Sequence, residues 1–320
     1  MSIMMRCAIL DDYQGVARTM ADWSVLDGQV DVTVHRDHID DQDTLVAALK
    51  DQQIVVIMRE RTPFRADLLH RLPDLKLLIT SGMRNASIDL AAAAAQGVTV
   101  CGTASTSTPP AELTWALILG LARHLVTENN AFRSGGPWQS TVGTGLNGKT
   151  LGLVGFGKIG IQVARVARAF GMDVAAWSAN LTADRTEPEG VRLVGKQELL
   201  SHSDIVSVHT VLSDRTRGLI GADELAMMRP DALLINTSRA AIVDQQALVE
   251  ALRAHRIGGA GLDVFDQEPL PADHPLRTMA NVLATPHLGY VTDGNYRTYF
   301  HQAVENIQAF IAGNPTRTIT

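Results

Sequence analysis

Residues 148–160 read Gly-Lys-Thr-Leu-Gly-Leu-Val-Gly-Phe-Gly-Lys-Ile-Gly, and this stretch decides the fold. Within it, residues 151–154 form an apolar run as long as one buried parallel strand. Residues 161–169 follow with apolar side chains at helical spacing. A strand, a glycine-rich turn and a helix in that order are the setting that a dinucleotide-binding motif requires. The stretch therefore predicts a parallel α/β sheet with a nucleotide bound at the turn.

The three glycines of the turn have different expected roles. Gly155 allows the tight turn, Gly157 lets a pyrophosphate approach the backbone, and Gly160 permits close packing of the helix on the strand. The first N–H groups of the helix are then available to the phosphates. The glycine pattern alone is equally compatible with an ordinary tight turn, so the use of the nucleotide has to be inferred from other segments.

The composition indicates a globular protein with two domains and no nucleic-acid partner. The chain has 320 residues, more than one hydrophobic core usually supports, and 46% of them are apolar while 19% are charged. A net charge of −6 without any basic run argues against binding to nucleic acid. Cys7 and Cys101 lie in apolar runs and lack metal or redox spacing, so we expect buried, reduced thiols and no metal site.

The sequence contains no segment suited to a membrane. Residues 1–12 have too short an apolar region for a signal peptide and reach Asp11 and Asp12 at once. The longest apolar candidate, residues 113–121, is shorter than the 18 or so residues of a membrane span and is interpreted as a buried helix. We therefore expect a cytoplasmic protein without membrane contact.

Short apolar runs and helical stretches alternate through the first hundred residues. This alternation predicts a parallel sheet covered on both faces, and hence a complete small α/β domain before the glycine-rich turn. The expected strands are residues 6–10, 30–34, 54–58, 76–80 and 98–101, and the expected helices lie near 15–21, 43–50, 65–71 and 87–95.

A linker and a long helix separate this block from the glycine-rich turn. Residues 102–110 are rich in Gly, Ser, Thr and Pro, and Pro109 and Pro110 begin a helix that is expected to run to about Ala131. An irregular segment, residues 133–147, follows, and strands and helices alternate again from Lys149. The expected strands are residues 151–154, 173–177, 191–194, 205–208, 232–236, 258–262 and 281–284, with a final helix near 293–312.

Three polar segments follow expected strands of this second block, where ligands bind in such sheets. They are residues 236–239, 263–268 and 285–289, which carry Arg239, Glu268 and His287 respectively. Taken singly, each residue also has a structural explanation: a surface ion pair, the end of a loop, or a histidine bonded inside the fold. Taken together, they bring a cation, a carboxylate and an imidazole to one edge of a nucleotide-binding sheet.

This combination suits hydride transfer to a 2-oxo acid. An arginine presents a planar, permanently charged fork that pairs with a substrate carboxylate. A histidine titrates near neutrality, so it can protonate the developing alkoxide and take the proton back in the reverse reaction. A neighbouring glutamate is expected to raise the pKa of the histidine and to hold its orientation. The nicotinamide supplies the hydride.

The sequence from about Arg59 to Tyr290 resembles the D-isomer-specific 2-hydroxyacid dehydrogenase family, which includes 3-phosphoglycerate dehydrogenase and glyoxylate/hydroxypyruvate reductase. The segments that carry the resemblance are residues 146–160, 236–248, 261–269 and 285–289. The resemblance implies that Arg239 binds substrate and cofactor and that Glu268 pairs with His287, the acid/base. It also implies two doubly wound parallel-sheet domains, with a Rossmann NAD(P)-binding domain inserted into a flavodoxin-like substrate domain.

The resemblance extends to domain limits and further site residues. It implies a substrate domain of residues 1–103 completed by 290–320, a cofactor domain of 104–289, and a homodimer formed through 110–147. Asp263 would bond the nicotinamide carboxamide. The remaining implied cofactor contacts are Thr108, Gly155, Gly157, Lys158, Ile159, Gly160, Ser178, His209, Thr210 and Thr237. The implied substrate contacts are Arg59, Gly82, Met83 and Arg84. From its position alone, His209 is equally compatible with a strand end facing solvent.

Two departures from the family pattern leave questions open. Ser178 stands where NAD-preferring members have an Asp that bonds the adenosine ribose, so the sequence does not decide between NAD and NADP. Arg84 stands where a glycine is usual. If Arg59, Arg61 and Arg84 all face the substrate, a phosphorylated or second anionic group is favoured; the alternative is that they pair with Glu60 or Asp89.

The leading hypothesis is thus an NAD(P)-dependent reductase of small anionic 2-oxo acids. The alternative from another class is an NAD(H)-sensing binding protein, like the transcriptional corepressors that share the three residues. The sequence has nothing similar to their extended tails. Formate or phosphite dehydrogenases need substrate-pocket residues that this sequence does not show.

Overall fold

The structure is a computed structural model that describes residues 4–320. Residues 1–3, the start of the stretch considered above as a signal peptide, lie outside the described residues. The chain divides into two compact units, one formed by residues up to Thr106 together with Thr292–Thr320, the other by Ser107–Val291. These limits lie two or three residues from the expected domain limits. The expected division of substrate and cofactor between the two units stays a prediction.

The first unit contains a five-stranded parallel sheet of order β2-β1-β3-β4-β5. This is the flavodoxin-like order that the sequence analysis expected. The central strands are buried along their whole length, because helices cover both faces of the sheet. Its strands are β1 (Met5–Ile9), β2 (Val30–Val34), β3 (Ile54–Ile57), β4 (Leu77–Thr80) and β5 (Thr99–Cys101). Its helices are α1 (Gln42–Leu49), α2 (Ala66–Leu69), α3 (Leu90–Ala95) and α11 (Asp293–Ile311).

The prediction of a helix near residues 15–21 is wrong, because this segment consists of turns. The carboxylate of Asp12 accepts hydrogen bonds from the backbone N–H groups of Val16 and Ala17, at 3.0 and 2.9 Å. Gly15 has a φ of +66°, which a right-handed helix does not allow. The positive φ of Gly15 therefore interrupts the helix, and the bonds to Asp12 hold the start of the segment as a turn.

The second unit contains a seven-stranded parallel sheet of order β12-β11-β10-β9-β6-β7-β8. Six of these strands have the Rossmann order, and β12 extends the sheet by one. Its strands are β6 (Thr150–Val154), β7 (Asp173–Trp177), β8 (Arg192–Leu193), β9 (Ile205–Val208), β10 (Leu233–Asn236), β11 (Gly259–Leu262) and β12 (Val282–Ala284). Its helices are α4 (Thr108–Ala122), α5 (Leu125–Arg133), α6 (Lys158–Ala169), α7 (Ala183–Thr186), α8 (Lys196–His202), α9 (Ala222–Met227) and α10 (Gln245–Arg253).

The prediction of a single helix from Pro109 to about Ala131 is also wrong, because the structure has two separate helices there, α4 and α5. His124 lies between them with a φ of +49°, which interrupts the right-handed helix. The carbonyl of Ala122 accepts a hydrogen bond of 2.7 Å from the backbone N–H of Thr144, so a residue of the irregular segment satisfies it. Contacts distant in sequence therefore end α4 where local helical periodicity continues.

The two cysteines are buried free thiols, as the sequence analysis expected. Burial raises the pKa of Cys7 to about 12 and that of Cys101 to about 11, so both stay protonated at neutral pH. Among residues 4–320, no helix has the length and apolar character needed to span a membrane. The cytoplasmic location stays a prediction.

Candidate active site

The segments that carry Arg239, Glu268 and His287 leave the sheet of the second unit at one edge. Strands β10, β11 and β12 are neighbours and parallel, with Asn236 opposite Leu262 and Leu262 opposite Ala284. Their carboxyl ends are therefore level with one another. Two strand spacings, roughly 10 Å, separate the backbone ends of β10 and β12.

A direct hydrogen bond joins His287 to Glu268. Nδ1 of His287 donates to Oε2 of Glu268 at 2.6 Å, because an ionised carboxylate can only accept. The other oxygen of Glu268 accepts the backbone N–H of Phe265 at 2.9 Å, which prevents the carboxylate from rotating away. Both side chains are partly shielded, with 19% and 29% of their surfaces exposed. This arrangement leaves Nε2 as the ring nitrogen that can reach a substrate.

The carboxylate of Asp263 holds the loop that carries His287. It accepts hydrogen bonds from the hydroxyl of Thr285 at 2.7 Å and from the backbone N–H groups of Leu288 and Gly289 at 2.6 and 2.8 Å. Burial raises the pKa of Asp263, while these bonds and the nearby His287 oppose the shift. The sequence analysis missed this role. The expected bond of Asp263 to a nicotinamide carboxamide stays a prediction.

The backbone of His287 is in an unusual conformation, with a φ of +53°. Such a conformation costs about 1–3 kcal/mol for a residue other than glycine and persists only where neighbouring contacts impose it. The bonds from Asp263 on both sides of His287 supply these contacts. The ring of Tyr290 meets the imidazole edge-on with centroids 5.5 Å apart, which adds a packing contact.

Arg239 lies in the loop after β10, and hydrogen bonds hold the backbone of this loop in place. The side chain of Asn236 donates to the carbonyl of Arg239 at 3.1 Å and accepts from the N–H of Ser238 at 3.0 Å. The hydroxyl of Ser238 donates to the carbonyl of Val208 at 2.8 Å, which ties the loop to β9. The guanidinium donates to the carbonyl of Ser238 at 2.7 Å. The structure thus joins Glu268 and His287 directly and places Arg239 at the same sheet edge.

The glycine-rich turn lies where the strand order reverses, between β6 and β9, the point at which open α/β sheets bind ligands. Gly155 has a φ of +102°, and a Cβ there would lie 2.6 Å from the carbonyl carbon of His209. A Cβ on Gly160 would lie 2.6 Å from the carbonyl oxygen of Gly155. A Cβ on Gly157 would meet no atom of residues 4–320 within 4 Å. Only Gly157 therefore borders open space.

His209 lies beside this turn with one ring nitrogen unsatisfied. Its Nε2 is 2.8 Å from the hydroxyl of Ser207, while its Nδ1 is buried and has no hydrogen-bond partner within the described part of the chain. Burial lowers the pKa of His209 to about 4, so the ring is neutral at neutral pH. A buried nitrogen without a partner beside an open backbone position fits a bound polar group such as a dinucleotide.

The other expected cofactor contacts lie on elements around the turn. Lys158 and Ile159 begin α6, and Thr108 begins α4. Thr237 follows β10, and its hydroxyl donates to that of Thr114 at 2.8 Å, since Thr114 itself donates to the carbonyl of Pro110. Ser178 and Thr210 follow β7 and β9 and are partly exposed. Contact of these residues with a cofactor stays a prediction.

The expected substrate residues of the first unit lie at the ends of β3 and β4. The N–H of Arg59 donates to the hydroxyl of Ser81 at 3.0 Å. Gly82 has a φ of +86°, and a Cβ there would lie 2.7 Å from Nη1 of Arg59, so the guanidinium covers this glycine. Arg59 is also 3.6 Å from Glu60, which is the ion pair considered as the alternative above. Met83 and Arg84 are exposed.

Arg61 is bound within a cluster at the end of β1. It donates to the carbonyl of Asp11 at 2.6 Å and lies 4.3 Å from the ring centre of Tyr13. The buried Asp11 also accepts from the hydroxyl of Thr62 at 2.6 Å and is 2.8 Å from Nδ1 of His38. The sequence analysis missed this cluster, although two acids directly after the first buried strand were a usable signal.

Comparison with known proteins decides the family. The family described as "D-isomer specific 2-hydroxyacid dehydrogenase, NAD binding domain" matches residues 115–289. A glyoxylate reductase of Aeropyrum pernix is 39% identical over 256 residues, which are 77% of this chain and 76% of that protein. A solved structure described as phosphoglycerate oxidoreductase from Vibrio cholerae O395 has a TM-score of 0.92 at 38% identity and covers 97% of this chain and 100% of its own. The chain belongs to the D-isomer-specific 2-hydroxyacid dehydrogenase family.

As a D-2-hydroxyacid dehydrogenase, the protein is an oxidoreductase that acts on a CH–OH group with a nicotinamide dinucleotide. A D-3-phosphoglycerate dehydrogenase of Methanocaldococcus jannaschii is 34% identical over 85% of this chain but only 52% of its own length. The resemblance stated from the sequence is therefore confirmed. The alternative of a corepressor-like binding protein finds no support in these comparisons.

The glycine-rich turn of this dehydrogenase can be tested with two substitutions. Gly157→Ala should leave the thermal unfolding temperature unchanged, because the new methyl group meets no protein atom. It should weaken dinucleotide binding in calorimetric titration by about tenfold or more, equivalent to about 1.4 kcal/mol, because the methyl group occupies the space that a pyrophosphate needs. Gly155→Ala is the contrasting variant and should lower the unfolding temperature. Undiminished binding by Gly157→Ala would show that the pyrophosphate lies elsewhere.

Proposed function

We propose that this dehydrogenase reduces a small 2-oxo acid to the D-2-hydroxy acid with His287 as the proton donor. The observation that carries the proposal is the 2.6 Å hydrogen bond between Nδ1 of His287 and Glu268. The carboxylate stabilises the protonated imidazole and directs Nε2 away from itself. When bound, the nicotinamide supplies the hydride. Nε2 gives its proton to the carbonyl oxygen as that oxygen becomes an alcohol, and takes the proton back in the oxidation direction.

Arg239 is proposed to hold the substrate. Its loop leaves the sheet at the edge shared with His287, and its permanent charge matches a carboxylate next to a polarised carbonyl. The bonds of Asn236 and Ser238 to the surrounding backbone keep this loop in place. The rigidity of this loop matters because positioning contributes to catalysis only if the reacting atoms stay close together.

For the substrate, we propose a small 2-oxo acid of the glyoxylate or hydroxypyruvate type. Arg61 is already bonded to Asp11 and stacked on Tyr13, and Arg59 is near Glu60, so these two arginines have protein partners. A phosphoglycerate-type substrate is the second candidate, favoured by the exposed Arg84 and by the relatives named D-3-phosphoglycerate dehydrogenase. The cofactor is NADH or NADPH.

We also propose a homodimer formed through residues 110–147. Helix α5 has no buried residue, so none of its side chains is enclosed within its own chain. Phe132, Trp138 and Val142 have exposed fractions of 69%, 81% and 93%, which is unusual for large apolar side chains. Leu125 and Val126, at the start of α5, are also exposed. A second copy of the chain would bury this surface.

The acid/base role of His287 predicts a large loss of turnover on substitution. His287→Ala should lower kcat for 2-oxo acid reduction by a factor on the order of 10² to 10⁴. Steady-state kinetics with glyoxylate and hydroxypyruvate would measure it, with His301→Ala, at an exposed histidine of α11, as the matched control. Turnover near that of the control would remove His287 from the mechanism.

The proposed role of Arg239 predicts that lysine is a poor replacement. Arg239→Lys keeps the charge but lacks the planar fork, so kcat/KM for 2-oxo acids should fall roughly 10- to 100-fold. Arg253→Lys, at an exposed arginine at the end of α10, serves as the control. Unchanged kcat/KM would show that Arg239 does not hold the substrate carboxylate.

The proposed dimer predicts a change of mass in solution. Light scattering after size-exclusion chromatography should give about twice the 34.5 kDa of one chain. Phe132→Glu combined with Trp138→Glu should reduce it towards one chain, because charges would replace the apolar contact. Val25→Glu changes an exposed valine of the other unit and should leave the mass unaltered. A monomeric unmodified protein would refute the dimer.

A further inference from the structure

The end of β7 lies directly beside the glycine-rich turn. Trp177 is level with Val154 in the sheet, and the N–H of Gly155 donates to the carbonyl of Trp177 at 2.8 Å. In Rossmann domains this strand end meets the adenosine ribose, and an acidic side chain there bonds its hydroxyls. Here the next residue is Ser178, which is short, neutral and partly exposed. The position therefore carries no charge that would repel a phosphate.

The structure brings an arginine to this place from the following helix. Nη2 of Arg185, on α7, donates to the carbonyl of Phe156 at 2.9 Å. Phe156 lies between Gly155 and Gly157, so the guanidinium is held at the turn itself. Within residues 4–320, the other guanidinium N–H groups of Arg185 have no partner, and its side chain is exposed. Arg185 is the seventh residue after Ser178, and only the fold brings both to the same turn.

Lys158, at the start of α6, is exposed, whereas two other cations of this region, Lys196 and Arg165, already have protein partners. Lys196 lies 5.8 Å from the ring centre of Trp177, but its ammonium group is bonded to Glu224 at 2.7 Å and to the carbonyl of Leu219 at 2.8 Å. Arg165 is bonded to Glu189 through two N–H groups, at 2.9 and 2.6 Å. Arg185 is the arginine held at the turn whose remaining donors can meet a ligand.

We infer that the protein uses NADP(H), with Arg185 binding the 2′-phosphate of the adenosine ribose beside Ser178. An arginine fork pairs with a phosphate through charge-assisted hydrogen bonds, and the hydroxyl of Ser178 adds a neutral donor. The bond to Phe156 orients the guanidinium before the ligand arrives, which reduces the ordering that binding requires. The inference rests on the proposed function for the existence of a dinucleotide site, and it adds which dinucleotide is preferred.

A pair of ligands that differ only in the 2′-phosphate tests the inference without any turnover. Isothermal titration of the full chain with 2′,5′-ADP and with 5′-AMP measures the contribution of that phosphate. The unmodified protein should bind 2′,5′-ADP roughly 10- to 100-fold more tightly than 5′-AMP, and this ratio should shrink at high salt. Equal affinity for the two ligands would overturn the inference, even if the protein reduces 2-oxo acids normally.

Substitutions then test whether Arg185 is responsible for the preference for 2′,5′-ADP over 5′-AMP. Arg185→Gln should lose most of the affinity for 2′,5′-ADP and keep that for 5′-AMP, whereas Arg192→Gln, at an exposed arginine on β8, should behave as the unmodified protein. Ser178→Asp should lower affinity for 2′,5′-ADP through repulsion and favour NADH over NADPH. Equal losses for both ligands in Arg185→Gln would show that Arg185 only supports the turn, and would overturn its assignment. Failure of the proposed function would appear separately, as absent turnover with intact 2′,5′-ADP binding.

Discussion

The buried carboxylate of Asp263 is the constraint on which the catalytic geometry depends. Removing a carboxylate from water costs on the order of several kcal/mol unless hydrogen bonds replace the lost hydration. Three hydrogen bonds, from Thr285, Leu288 and Gly289, offset part of this cost for Asp263, although burial still raises its pKa. Because these donors flank His287 in the chain, the loop cannot move without breaking bonds to a buried charge. The unusual φ of His287 is then imposed from both sides, and the imidazole meets Glu268 at hydrogen-bond distance.

Two carboxylates thus have different tasks around one imidazole. Asp263 is buried and bonds the backbone and hydroxyl groups of the loop, so it acts on the position of His287. Glu268 is partly exposed and bonds the ring itself, so it acts on the tautomer and orientation of the His287 ring. In the proposed mechanism, this separation allows the ring of His287 to gain and lose a proton while the loop stays in place.

Both sheets are parallel and doubly wound, but different kinds of residue line the point where the strand order reverses. In the second unit, β6 and β9 flank this point, which is lined by backbone at Gly155 and Gly157 and by the neutral ring of His209. Exposed backbone and neutral donors suit phosphate groups. In the first unit, β1 and β3 flank it, and charged side chains, Asp11 and Arg61 among them, fill the loops. Asp11 and Arg59, in these loops of the first unit, both have positive φ angles.

The local sequence pattern was sufficient to predict the secondary structure wherever a buried strand or the glycine-rich turn determined the backbone conformation. The apolar or β-branched runs placed the twelve expected strands within a residue or two. For fully buried strands such as β3, β4 and β9, the reason is that strands covered on both faces require continuous apolar sequence. The local pattern failed where a glycine conformation or a group outside the segment also determined the backbone. Gly15, with its positive φ, and the carboxylate of Asp12 hold residues 15–21 as turns, and Thr144 helps to end the helix expected to reach Ala131. The contact of Thr144 has no signature within the segment that it ends.

The sequence by itself determined the family, the parallel α/β architecture and the identity of Arg239, Glu268 and His287 as a group, because each follows a strand with a recognisable motif. Only the tertiary structure decided which of them touch, that Asp263 anchors the His287 loop, and that Arg185 reaches the glycine-rich turn. The physical reason is that hydrogen bonds between groups distant in the chain depend on side-chain direction and on spacings of a few ångströms. Neither quantity is encoded in the periodicity from which strands and helices are predicted.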